Sequence, residues 1–191
     1  EMRCPGCGVT VKPVPTDEEK PLFPTSIYAI TKRDHEEMFL AVGRAYGIPT
    51  VALRFFNIYG TRQALSNPYT GVAAIFSSRL LNGQPPVIFE DGGQTRDFIH
   101  VSDIVSALLL AMQDSRGDGQ VFNVGTGRAL SVLDLARMLA GRLNFRGSPQ
   151  IENRFREGDV RHCYADISRI RRVYGWTPEV PFEEGIDELV R

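Results

Sequence analysis

The sequence predicts an α/β fold with a largely parallel sheet. Three observations carry that expectation: β-branched or apolar runs such as TVALRFF and VFNV have strand length, helix-period segments alternate with them, and cap or breaker residues mark the transitions. Met38, Phe39, Val42 and Tyr46 recur at helical spacing, so a helix is expected over residues 27–46, stopped by Gly47 and Pro49. TVALRFF reads as a buried strand over residues 50–56, leaving Asn57 at its carboxyl end. A second helix is expected over residues 71–81, then a short strand at 86–89, a Gly-rich turn (EDGGQ) and an extended piece, RDFIHV. Ser102 is placed to cap a helix with the apolar face Ile104, Val105, Leu108, Leu109 and Met112. VFNV reads as a strand, and Ser131 with Asp134 has the spacing of a capping box opening a helix that runs to Leu143. CYAD gives a short strand, Asp166 caps DISRIRRVYG, and Pro181 suits the first turn of a last helix, FEEGIDELV.

The 191 residues are 42% hydrophobic and 24% charged, with a formal net charge of -1, a composition suited to one ordinary domain or one domain with an appendage. No apolar run approaches a membrane span, and no basic cluster points to nucleic acid or an anionic membrane, so a small-molecule partner is expected. Residues 1–25 are Pro-rich and aperiodic and read as a loop or small knuckle. Glu1 is not an initiator residue, and a Pro-rich stretch leads straight into the first helix; the front of a longer protein is expected upstream. The opening lacks the regions of a signal peptide, and three cysteines make no disulfide framework, so the cytoplasm is the expected compartment.

The stretch SIYAITK holds the first chemical motif. On a helix, residues i and i+4 stack, so Tyr28 and Lys32 project into the same space. A free tyrosine has a pKa of about 10, and an ammonium a few ångströms away favours the phenolate, which makes the pair a candidate general base. Taken alone, Tyr-x-x-x-Lys is weak and fits two residues that merely share a helix face.

Five motifs in one order give it weight: YAITK, LRFFNIYG, QTRDFIHVSDI, FNVGTG and REGDVRHCYADISRIRRVYGWTPEVPFEEGI. Together they resemble the extended short-chain dehydrogenases/reductases, in particular the NAD-dependent nucleotide-sugar epimerases and dehydratases of the UDP-glucose 4-epimerase type. The resemblance covers residues 24–191. It implies the C-terminal part of a doubly wound, Rossmann-like parallel sheet and a small α/β substrate-binding domain. It also implies NAD as cofactor, a nucleotide-diphosphate sugar as substrate, and a homodimer through the Tyr28 helix. Tyr28 would be the base and Lys32 its partner on the nicotinamide ribose. Phe55 would lie beside the nicotinamide, although a plain core role fits it equally, and Asn57 would reach the sugar or diphosphate. Arg96 would grip the diphosphate bidentately, with Arg156 as a second arginine and Asp159 on the nucleotide ribose. Surface ion pairs are the competing reading for these three. Asn123, Gly125 and Gly127 read mainly as a tight turn, and His100 and His162 as structural or surface residues.

Two departures matter. The glycine-rich fingerprint that cradles a dinucleotide pyrophosphate is absent from the sequence, and the family's Ser or Thr partner of the tyrosine would fall near Cys4. Both are expected upstream, so the chain is expected to hold the base and the substrate grip without turning over alone. Cys4 and Cys7, in CPGCG, have the look of half a zinc knuckle whose other two ligands lie elsewhere; a turn with free thiols is the alternative, and a redox CxxC lacks its βαβ setting. The leading expectation is inversion of a nucleotide-activated sugar through a keto intermediate. The rival is a non-catalytic fragment that binds a nucleotide sugar or serves as an association surface.

Overall fold

The computed structural model describes residues 3–64, 71–155 and 158–190. It opens on a hairpin in which Arg3 and Thr10 form an antiparallel bridge. Helix α1, Ile27–Tyr46, starts where Ser26 Oγ accepts the Ala29 N–H at 3.1 Å and ends at Gly47, whose left-handed φ of 65° closes the last turn. Strand β1, Ala52–Phe55, is followed at once by β2, Asn57–Tyr59. Then come α2 (Val72–Leu81), β3 (Val87–Ile88), β4 (Thr95–Arg96), β5 (Phe98–His100), α3 (Val101–Gln113) and β6 (Val121–Val124). The chain continues through β7 (Leu130–Ser131), α4 (Val132–Arg142), β8 (Gln150–Ile151), β9 (His162–Cys163), α5 (Ser168–Tyr174) and α6 (Phe182–Leu189).

Parallel pairing dominates, as the alternation of strands and helices predicts. β1 pairs with β6, β2 with β5 and β3 with β8, all parallel; β4 lies between antiparallel β7 and parallel β9. Strand β5 divides the interior. Neighbouring strand residues point to opposite faces, so Phe98 enters a core with Phe76, Leu80, Leu135, Leu139 and Ile186, while Ile99 enters a second core with Ile104, Phe122, Val124, Ile170 and Trp176. Each fully buried side chain of this size stabilises the fold by roughly 1.5–3 kcal/mol.

Four expectations are corrected. The strand expected over 50–56 is shorter and the chain changes partners at its end: Phe56 N–H still reaches Val124 O, but Asn57 N–H donates to Asp97 O, so Asn57 opens a second strand rather than closing the first. RDFIHV is not one extended piece, because Asp97 interrupts it. The cap of α3 is His100, whose Nδ1 accepts the Ser102 N–H at 3.4 Å, and Ser102 lies inside the helix. The strand expected in CYAD is displaced to His162–Cys163, since Ala165 bridges to Thr16 instead.

That last bridge stitches the segment before α1 into the fold. Thr16 N–H donates to Tyr164 O and Asp166 N–H to Thr16 O, both at 2.8 Å. Two residues on, the buried Glu18 carboxylate accepts the Asn123 N–H at 2.9 Å, and Asn123 Nδ2 donates to Thr16 O and Asp166 O. Arg54 then ties this strap to α1: its guanidinium grips Glu36 bidentately at 2.8 and 2.7 Å and donates to Glu18 O. The Glu36 hydrogen bonds hold the Arg54 pKa above its ordinary value.

Candidate active site

Tyr28 lies in the first turn of α1 and Lys32 one turn further. The spacing delivers what helix geometry requires: Lys32 Nζ stands 5.5 Å from the Tyr28 ring centroid, a cation over the face of the ring. The ring is half-exposed. A substrate hydroxyl could therefore approach the phenol while the ammonium stays beside it.

A cleft of about 590 Å³ opens beyond the ends of β1 and β6, where parallel sheets present ligand sites. Phe55 and Asn57 line it with Lys20, Arg54, Asn123 and Cys163. Tyr28 and Lys32 are not among its lining residues. Burial pushes the Cys163 thiol above its ordinary range, which suits a packed residue more than a reactive one.

Arg96 and Asp159 meet, at 2.6 Å between Nη2 and Oδ1, and Arg96 Nη1 also donates to the carbonyls of Thr95 and Arg161. The fork read as a diphosphate grip is thus satisfied within the protein, and Asp159 occupies the face that an anionic ligand would claim. Arg156 lies outside the described residues.

The acid that sequence reasoning missed is Asp97. It is fully buried, and its carboxylate accepts the Thr126 N–H (2.8 Å), the Thr126 hydroxyl (2.6 Å), the Gly127 N–H (2.9 Å) and the Ala165 N–H (3.1 Å). A Cβ on Gly125 would come within 2.7 Å of Asp97 Oδ2, so only glycine fits there. The N–H groups of the NVGTG turn are consequently spent on an internal carboxylate. An acid leading directly into the apolar pair Phe98–Ile99 in RDFIH was the signal that could have found it.

His100 and His162, read as structural or surface residues, both have structural partners. His100 caps α3, and His162 Nδ1 lies 2.9 Å from Thr95 Oγ1. Burial, reinforced by Arg161 and Arg96, holds the His162 pKa below its ordinary value. At the other end of the chain, Cys4 and Cys7 sit in the opening hairpin as free thiols. The Cys4 pKa is lowered chiefly by the Gly6 backbone N–H, then by the backbone and side chain of Cys7. Among the described residues no group of three or more His, Cys, Asp or Glu could hold a metal ion, so the expected zinc knuckle has two ligands here. No helix among the described residues is long and apolar enough to cross a membrane.

With this geometry in view, the chain can be set beside known proteins. A family model described as GDP-mannose 4,6 dehydratase matches residues 9–189. The chain belongs to the nucleotide-sugar epimerase and dehydratase family. Within this family it is 37% identical over 95% of its length to a dTDP-L-rhamnose 4-epimerase of Burkholderia thailandensis, covering 50% of that protein. It is 38% identical over 93% of its length to a putative UDP-glucose 4-epimerase of Methanocaldococcus jannaschii, covering 56% of it. The crystal structure of the Thermotoga maritima UDP-glucose 4-epimerase with UDP-glucose superposes with a TM-score of 0.87 at 39% identity, over 95% of this chain and 57% of that one. The Thermus thermophilus UDP-glucose 4-epimerase in complex with NAD gives 0.83 at 30% identity, over 95% of this chain and 58% of that one. The chain spans about half the length of the curated relatives it matches.

Proposed function

We propose that this chain supplies the base and the substrate half of an NAD-dependent nucleotide-sugar 4-epimerase. The observation that carries the reading is the Tyr28–Lys32 pair, held at 5.5 Å on one helix face in a chain so similar to 4-epimerases. Tyr28 takes the proton of the sugar hydroxyl as the keto sugar forms and returns it to the epimer. Lys32 stabilises the phenolate from beside the ring and binds the nicotinamide ribose. Phe55 and Asn57 position the ring and the sugar from the cleft, and Arg96, released from Asp159, binds the diphosphate together with Arg156. Binding energy from the nucleotide then holds the diphosphate while the sugar turns.

NAD, when bound, supplies the hydride acceptor and donor for the carbon. Tyr28, Lys32 and Phe55 fit its nicotinamide end. The pyrophosphate end finds no cradle among the described residues, since the NVGTG turn has its N–H groups committed to Asp97. The isolated chain is therefore expected to bind a nucleotide sugar without turnover.

A second element of the proposal is a homodimer through α1. Only Gly43 of this helix is buried, while Met38, Phe39, Val42 and Tyr46 are exposed, an apolar stripe suited to a second copy.

The catalytic assignment is tested by grafting residues 26–190 in place of the matched part of the Thermotoga maritima enzyme. The chimaera is expected to interconvert UDP-glucose and UDP-galactose, and Tyr28→Phe to lower its kcat by about 10²–10⁴-fold. A Tyr28→Phe chimaera as active as its parent would remove Tyr28 from the chemistry.

A further inference from the structure

Helix α1 carries three acids, Asp34, Glu36 and Glu37, and an arginine claims each of them. Arg33 takes Asp34 at 3.0 Å and Glu37 at 3.5 Å. Arg54, reaching across from β1, donates to both oxygens of Glu36 at 2.8 and 2.7 Å. The acids of the strap are held elsewhere, Glu18 by Arg169 at 3.6 Å and Glu19 by the same guanidinium. Lys32 is left without an ion pair among the described residues, and its ammonium stands over the Tyr28 ring.

Helix spacing puts that arrangement under competition. Tyr28, Lys32 and Glu36 follow one another at intervals of four, so they share one face of α1, and an i,i+4 lysine and glutamate attract each other. The Glu36 side chain is only 16% exposed; stripped of its partner it would be an uncompensated charge whose nearest cation on the same face is Lys32. A guanidinium fork satisfies both carboxylate oxygens at once, which an ammonium cannot do, so Arg54 wins Glu36 and Lys32 keeps the ring. We propose that Arg54 is a positioning residue: by occupying both oxygens of Glu36 it denies that carboxylate to Lys32 and leaves the ammonium at Tyr28. The inference rests on the reading of Tyr28 and Lys32 as the base and its partner, and it gives Arg54 a part in the reaction through Glu36. The same guanidinium donates to Glu18 O and lines the cleft with Phe55 and Asn57, so one side chain links the helix of the base to the substrate side.

The test is nuclear magnetic resonance of the 191-residue chain labelled with carbon-13 at the lysine ε carbons. Lys12, Lys20 and Lys32 are its only lysines, so the spectrum is simple, and Lys32→Arg identifies the resonance that matters. The ring current of Tyr28 should hold the Lys32 ε-methylene protons upfield of the other two, and Tyr28→Leu should remove that displacement. Arg54→Met is expected to abolish it as Lys32 swings to Glu36, and Arg54→Met combined with Glu36→Gln to restore it. A side chain that merely braced the helix would not be rescued by a second loss. Arg54→Lys, which holds one oxygen at a time, should give a partial loss and carries the test if Arg54→Met does not fold. A parent chain without the displacement, a displacement untouched by either Arg54 change, or one still lost in the double variant would overturn the proposal. Because the readout needs no turnover, it is separate from the Tyr28→Phe chimaera: full activity there would remove the catalytic reading while leaving the placement of Lys32 as measured.

Discussion

Helices α1 and α4 open alike and end up differently. Each begins at a serine whose hydroxyl accepts a backbone N–H three residues on, and each carries an apolar stripe at helical spacing. Yet α4 buries Val132, Leu135, Ala136, Leu139 and Ala140 against α2 and its neighbours, while α1 buries Gly43 alone and leaves Phe39 65% exposed. Helix α3 falls between them: Ile104 and Ala107 are buried, but Met112, on its expected apolar face, is 80% exposed. An apolar stripe states that a helix face wants a partner; it does not say whether this stretch of chain provides one.

The contrast predicts a steep hierarchy of substitutions. Leu139→Ala in α4 should cost about 2–5 kcal/mol in urea unfolding, through lost transfer energy and the cavity left behind. Phe39→Asp in α1 should cost far less stability but shift sedimentation from dimer toward monomer; a large unfolding effect without dissociation would erase the distinction between the two helices. Next in size is Asp97→Ala, which strands the part-buried N–H groups of Thr126 and Gly127 and the buried N–H of Ala165 and should destabilise by about 3 kcal/mol. Removing the cap by Ser131→Ala should cost about 1 kcal/mol, since only the Asp134 N–H and carboxylate lose a partner.

The smallest effect expected is on the acid side. The His162 pKa is lowered by burial, that of Asp91 by its hydrogen bonds from Arg161, and that of Asp166 by the Ser168 N–H. A folded-state pKa below the unfolded value gives stability that is present above the unfolded value and lost as pH falls through the folded one. Thermal midpoints should therefore slip as pH drops below about 6.5, where unfolded histidine begins to charge, and again below about 4, where unfolded carboxylates protonate. His162→Gln should flatten the first decline and leave the second; an unchanged profile would show that His162 is not its source.

Sequence reasoning reached the elements with long, regular signals. Helix α1 has the expected bounds, and β1 and β6 lie within the two apolar runs read as strands, although only the fold sets them side by side. Two-residue strands such as β7 and β8 have no period to detect, and they exist because β4 and β3 lie beside them. The Tyr28–Lys32 pair was legible because four residues on one helix fix the geometry locally. The Arg96–Asp159 pair was not, since 63 residues separate its partners and only the fold sets one against the other. Asp97 was missed for the same reason: its four hydrogen-bond donors come from two distant segments.

In the proposed complex a diphosphate displaces Asp159 from Arg96. The most direct measurement is isothermal titration of the 191-residue chain with UDP-glucose, with and without Arg96→Ala. The account predicts saturable binding of UDP-glucose that Arg96→Ala weakens by about tenfold or more, consistent with the roughly 1.5–3 kcal/mol of a charged hydrogen bond. Equal binding by both chains, or binding by neither, would contradict the assignment of the substrate half to these residues.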